Sequence, residues 1–153
     1  MRLTKAAEYA IRCMVYLSHK GKNRLTSRQE IAVNADIPSH FLAKIAQDLA
    51  KAGFIEIRQG AKGGFLLLRA PEEITLLEIV ETMIGEITLN DCVGRPSSCS
   101  ITSKCSVYRI WAKARNQLRQ TLREVTFSQL AEKETCVPIF HPGPPGADNP
   151  VNC

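Results

Sequence analysis

Between residues 27 and 68 the chain sets two short helix patterns, a tight turn and a glycine-rich hairpin end to end, an order few folds accommodate. Ser27 and Glu30 have capping-box spacing and open a helix through Asn34. Ala35 and Asp36 make the turn. Pro38 fits the first position of a second helix running to about Ala52, and Gly53 stops it. Residues 54–58 and 65–68 then read as two strands, joined by a connection that holds Gln59, Gly60, Lys62, Gly63 and Gly64. A helix-turn-helix followed at once by such a hairpin predicts a winged helix, a mainly α fold with a small β wing.

The second helix divides into two faces. Phe41, Leu42, Ile45 and Leu49 form its buried side, while Ser39, His40, Ala43, Lys44 and Gln47 share the other. That outer face is short-chained near its start and polar, as an approach to base edges requires. On an isolated helix the same face would read as merely solvated; the hairpin beside it favours double-stranded DNA. Arg58, Gln59 and Lys62 are expected to meet phosphate from the wing, where glycine lets the backbone come close. Ser27 and Arg28 join the expected DNA contacts at the start of the first helix. A phosphate-cradling nucleotide loop is excluded, because no helix follows the glycines and the GxxxxGK[ST] pattern is absent.

Charge agrees with a polyanion partner once it is divided. Residues 1–71 carry 12 Lys/Arg against 5 Asp/Glu, and residues 72–153 carry 8 against 10, summing to the net +5 of the chain. A basic front half gains by releasing the counterions of DNA. No apolar run approaches membrane-spanning length, and Lys5, Glu8 and Arg12 interrupt the N-terminus, so a cytoplasmic protein without a signal peptide is expected.

Around this head lie further helices. One runs from about Thr4 to Ser18, with Thr4 as cap and Ala6, Tyr9, Ala10, Cys13, Met14 and Leu17 on one stripe. Another spans 74–84 and is closed by Gly85. Residues 90–104 have no period. A long helix from Ser106 to about Val125 spaces Trp111, Ala114, Leu118, Thr121 and Val125 by threes and fours, the seam of a coiled coil, and a short helix over 126–134 follows. The expected division is a winged-helix domain at 1–71, a helix, cysteine loop and dimerisation helix at 72–134, and a flexible tail at 135–153.

Six cysteines stand at 13, 92, 99, 105, 136 and 153, and three cluster in the aperiodic stretch as C-x6-C-x5-C. In a reducing compartment such clustering points to metal or redox chemistry rather than a disulfide framework. Thiolates suit soft iron–sulfur clusters, and the CxxC knuckle common in zinc sites is missing. Cys13 lies in an apolar stripe and reads as core; Cys136 and Cys153 carry no positive sign of function.

The stretches MRLTKAAEYAIR, FLAKIAQDLAKAGFIEIRQGAKGGFLL and EITLLEIVETMIG, with the triple-cysteine loop after them, resemble the Rrf-two family of bacterial regulators over residues 1–134. The resemblance implies a homodimer in which long helices cross and each wing and recognition helix faces DNA. It also implies an iron–sulfur cluster on Cys92, Cys99 and Cys105, although the first gap here is one residue longer than in several members. In one branch a histidine three residues past the last cysteine completes a two-iron cluster, and Tyr108 occupies that place here. In another an acid of the partner's first helix completes a four-iron cluster, and Glu8 occupies that place, which favours four irons over two. The alternative for Glu8 is an ion pair with Arg12.

The expectation is a non-enzymatic repressor that senses redox state, nitric oxide or cluster supply. A DNA-binding thiol-oxidation sensor without a cluster is the first alternative. An iron–sulfur scaffold or redox protein is the second.

Overall fold

A computed structural model describes residues 3–132; the expected tail, with Cys136 and Cys153, lies outside the described residues. Helix α1 (Lys5–Lys20) begins where Thr4 Oγ1 accepts the Ala7 amide at 3.2 Å and ends at Gly21, whose φ of 88° few other residues adopt. Its buried stripe is Ala7, Ala10, Cys13, Met14 and Leu17, with Ala6 and Tyr9 half-buried at the margin.

The next two helices form the expected pair, with two local differences. In α2 (Arg28–Asn34) the Ser27 hydroxyl accepts the Glu30 amide at 3.2 Å, the first half of a capping box. The second half is missing because the Glu30 carboxylate turns to α1, accepting the Tyr16 hydroxyl at 2.9 Å and pairing with Lys20 at 2.7 Å. A charged donor outcompetes a backbone amide for that carboxylate. Asp36 takes φ of 52° in the turn, and α3 (Ser39–Lys51) follows. Pro38 caps α3 instead of starting it: its ψ of 134° is extended, yet its carbonyl accepts the Leu42 amide at 3.0 Å.

Strands β1 (Ile55–Arg58) and β2 (Gly64–Leu67) pair antiparallel, Ile55 opposite Leu67 and Arg58 opposite Gly64. On its other edge β2 exchanges hydrogen bonds with Thr26, Phe65 N to Thr26 O and Thr26 N to Phe65 O, both 2.9 Å. A Cβ at Gly64 would fall 2.1 Å from the Thr26 carbonyl, so this close approach requires glycine. The wing is thereby anchored to the segment that leads into α2.

Helix α4 (Leu76–Ile84) opens with a complete Thr75–Glu78 capping box. The stretch read as aperiodic is built of short turns: α5 (Asp91–Gly94) and single 3-10 turns at Pro96–Ser98 and Thr102–Lys104. Turns this brief leave no period in a sequence. Helix α6 (Ser106–Arg123) is the long one, and α7 (Phe127–Ala131) returns to the core. Val125 falls after α6, its carbonyl accepting the Leu76 amide at 2.8 Å.

One core joins α1, α3 and the wing to Ile74, Ile79 and Phe127. A smaller one sets Leu118 and Leu122 of α6 against Leu77, Val80 and Ile87. Arg119 pairs with Glu81 at 2.9 Å, and Arg115 pairs with Glu86, bracing the same contact. Phe127 is wholly buried, and its amide donates to the Ile74 carbonyl at 2.9 Å. Phe127→Ala is therefore expected to cost about 3–5 kcal/mol of unfolding free energy. Denaturant titration reads this as a lower midpoint at unchanged slope; a shift under about 1 kcal/mol would mean that the C-terminal helix adds little to the core.

Candidate DNA interface and cysteine segment

The expected reading face forms as a surface. Ser39, His40, Lys44 and Gln47 of α3 are exposed and Ala43 is half-buried, while Leu42, Ile45, Ala46 and Leu49 pack inward. Phe41 is half-buried, with its ring 5.2 Å from Tyr9 and 4.6 Å from the His40 imidazole, which it helps orient. A cleft of about 90 Å³ gathers Arg28, Ala43, Gln47 and Gln59, so α2, α3 and the wing converge there. A larger one of about 500 Å³ places Ser39 beside Arg28, Gln29 and Val33.

The expected cations differ in how free they are. Arg58 Nε is held by Glu56 at 2.8 Å, which offsets part of its charge. Lys44 and Lys62 are exposed, as is Arg28, and none of the three has an ion pair among the described residues. Ser27 is exposed but its oxygen is engaged as the α2 cap. Gln29 and Val33 escaped the sequence reading. Val33 is 72% exposed, and its i,i+4 spacing from Gln29 on a seven-residue helix was the available signal.

Cys92, Cys99 and Cys105 are free thiols and half-buried. Cys99 and Cys105 open onto one cavity of about 430 Å³, with Thr102, Tyr108 and Arg109 in its wall; Cys92, on α5, does not line it. The Thr102 hydroxyl donates to the Cys99 carbonyl at 2.9 Å, and Lys104 N to Ile101 O at 3.0 Å, so the two thiols are set by consecutive turns. Among the described residues of a single chain, no three His, Cys, Asp or Glu side chains gather closely enough to hold a metal ion. The donor set still suits an iron–sulfur group in chemistry. Three accessible thiols lie in a stretch, 92–123, that carries seven Lys/Arg and no Asp/Glu, and such charge offsets that of bound thiolates.

Cys13 is different. Complete burial pushes its thiol up to about 12, so it stays protonated and inert as core. Glu8 is half-buried on α1 and pairs with Lys5 at 2.7 Å, not with Arg12. Arg12 instead donates to the Asp36 carbonyl at 3.1 Å, tying α1 to the turn between α2 and α3.

A helix-turn-helix with a two-stranded wing anchored beside its outer face defines a winged-helix DNA-binding protein. The family model described as Rrf2, iron-dependent transcriptional regulator, matches residues 3–133, and the chain belongs to that family. It is 30% identical to the HTH-type transcriptional regulator NsrR of Shouchella clausii, covering 88% of this chain and 91% of that one. The oxidised form of CymR from Staphylococcus aureus has a TM-score of 0.67 at 26% identity, over 89% of this chain and 100% of CymR. IscR of T. potens shares the fold, with a TM-score of 0.61 at 21% identity over 84% of each chain. The chain is a DNA-binding transcription regulator, and the NsrR relative bears the same description. No helix among the described residues is long and apolar enough to cross a membrane.

Proposed function

We propose that the chain acts in the cytoplasm as a homodimeric repressor whose hold on operator DNA is set by an iron–sulfur cluster. Cys92, Cys99 and Cys105 hold the cluster, with Glu8 of the partner subunit as fourth ligand and four irons favoured over two. The observation that carries this reading is the set of three free thiols in one basic segment, directly ahead of a helix with a bare apolar face. The family's iron-dependent description supports it. When bound, such a cluster supplies a centre that changes with redox state or nitric oxide. The protein's part is to hold it and to pass on its presence. Glu8 lies one turn before Arg12, and Arg12 is bonded to the α2–α3 turn, so a change at Glu8 acts through α1 on the reading head.

Dimerisation uses α6. Val107, Ile110 and Trp111 are 50%, 63% and 39% exposed, a three- and four-residue spacing that continues to Ala114. On DNA, Ser39, His40, Ala43, Lys44 and Gln47 address base edges, while Ser27, Arg28, Arg58, Gln59 and Lys62 meet the backbone. Lys62→Ala is expected to weaken binding about equally for all sequences and to lower the salt slope by about one. Changes at Ser39 or His40 should alter which bases are preferred. An unchanged slope in Lys62→Ala would take the wing tip off the backbone.

Anaerobic reconstitution with iron and sulfide tests the cluster: stoichiometric iron, acid-labile sulfide and visible absorption are expected. Failure to load leaves a second reading, favoured by the cavity that Cys99 and Cys105 share and by the likeness to CymR in its oxidised form. Cys99 and Cys105 would then close to a disulfide, giving two electrons and two protons to hydrogen peroxide, which leaves as two waters.

A further inference from the structure

The cavity at Cys99 and Cys105 carries a feature that cluster ligation does not use. Its wall includes Arg109, an exposed guanidinium with no ion pair among the described residues, beside the hydroxyl-bearing Thr102, Ser100, Ser103 and Tyr108. Arg95 and Lys104 flank it in sequence, also without ion pairs among the described residues, and the nearest acids in sequence are Asp91 and Glu124. A concave site of about 430 Å³ that combines two thiols, one free guanidinium and hydroxyl donors matches a small molecule bearing both carboxylate and sulfur.

We infer that in the cluster-free chain this cavity docks and exchanges with low-molecular-weight disulfides that carry carboxylates. Arg109 holds a carboxylate while the thiolate of Cys99 or Cys105 attacks the disulfide. The protein S–S bond forms as the small molecule's S–S bond breaks. One half stays as a mixed disulfide, and the other leaves as a thiolate that takes up the proton the cysteine released. The incoming disulfide is itself the oxidant. This exchange does not rest on the cluster, because it concerns the metal-free chain, and it adds substrate selection to the thiol chemistry of the segment.

The test uses full-length, metal-free, reduced protein with two probes: cystine, which bears carboxylates, and cystamine, which does not. Each rate of adduct formation is divided by the same probe's rate with free glutathione, and peptide mapping by mass spectrometry locates the adduct. On that scale cystine should exceed cystamine by about three- to ten-fold, the worth of one screened ion pair, with the preference shrinking in high salt. Arg109→Gln should remove the preference and Arg109→Glu reverse it; the exposure of residue 109 lets both variants fold. Adducts should form on Cys99 or Cys105 ahead of Cys92, which shares the basic segment but not the cavity. Equal normalised rates, a preference that survives Arg109→Glu, or Cys92 reacting as fast would each overturn the inference.

Discussion

The wild-type protein is expected to sediment as a dimer and Ile110→Glu as a folded monomer, with operator binding reduced to that of a single head. Ile110 is 63% exposed on α6 and belongs to neither buried core of its own chain, so its loss costs the monomer little. At a two-fold contact the substitution sets two like charges close together in a desolvated seam, a penalty of about 3–5 kcal/mol. A thousand-fold weaker dimer follows from about 4 kcal/mol. Leu118 is the less informative position, although the heptad pattern points to it. It packs on Leu77, Val80 and Ile87 of its own chain, so glutamate there would unfold as well as dissociate. An Ile110→Glu protein that remains dimeric would place the interface away from α6.

Alanine at Cys92, Cys99 or Cys105 is expected to abolish iron loading, because each change leaves one iron short of a ligand. Glu8→Ala should load but lose its cluster faster, since a carboxylate is a hard and replaceable ligand for iron. Cys13→Ala should keep the spectrum and show only a modest loss of stability, its thiol being buried against other core side chains. Cys136→Ala and Cys153→Ala should also keep it. These outcomes separate the two sensor readings. A disulfide switch needs Cys99 and Cys105, which share a cavity, and tolerates loss of Cys92.

The reading head was legible because each of its parts has a local signature. Thr4 and Ser27 cap as their spacing indicates, Gly53 takes φ of 80° at the stop, and Gly64 sits where Thr26 leaves no room for a Cβ. Errors arose where a distant partner decided the outcome. Glu30 leaves its capping box half made and turns to Tyr16 and Lys20, because the tertiary contact offers a better hydrogen bond than the next turn of helix. The α6 seam was read from periodicity alone. Periodicity does not distinguish the face that α4 covers, at Leu118 and Leu122, from the face left bare at Val107 and Ile110. Val33 offers only its i,i+4 spacing from Gln29, too short a pattern on a seven-residue helix to mark a face. The thiols presented another limit: spacing named all three, yet only the folded turns show that Cys99 and Cys105 share a cavity and Cys92 does not.

Operator affinity of one anaerobic preparation, measured before and after its cluster is removed, tests the central claim most directly. Both forms are compared at one salt concentration, with an unrelated duplex as control. Coupling between cluster and reading head predicts affinities that differ by about ten-fold or more for the operator, in either direction, and by much less for the control duplex. Equal operator affinity with and without a verified cluster would contradict it, since a ligand that binds both states alike shifts neither.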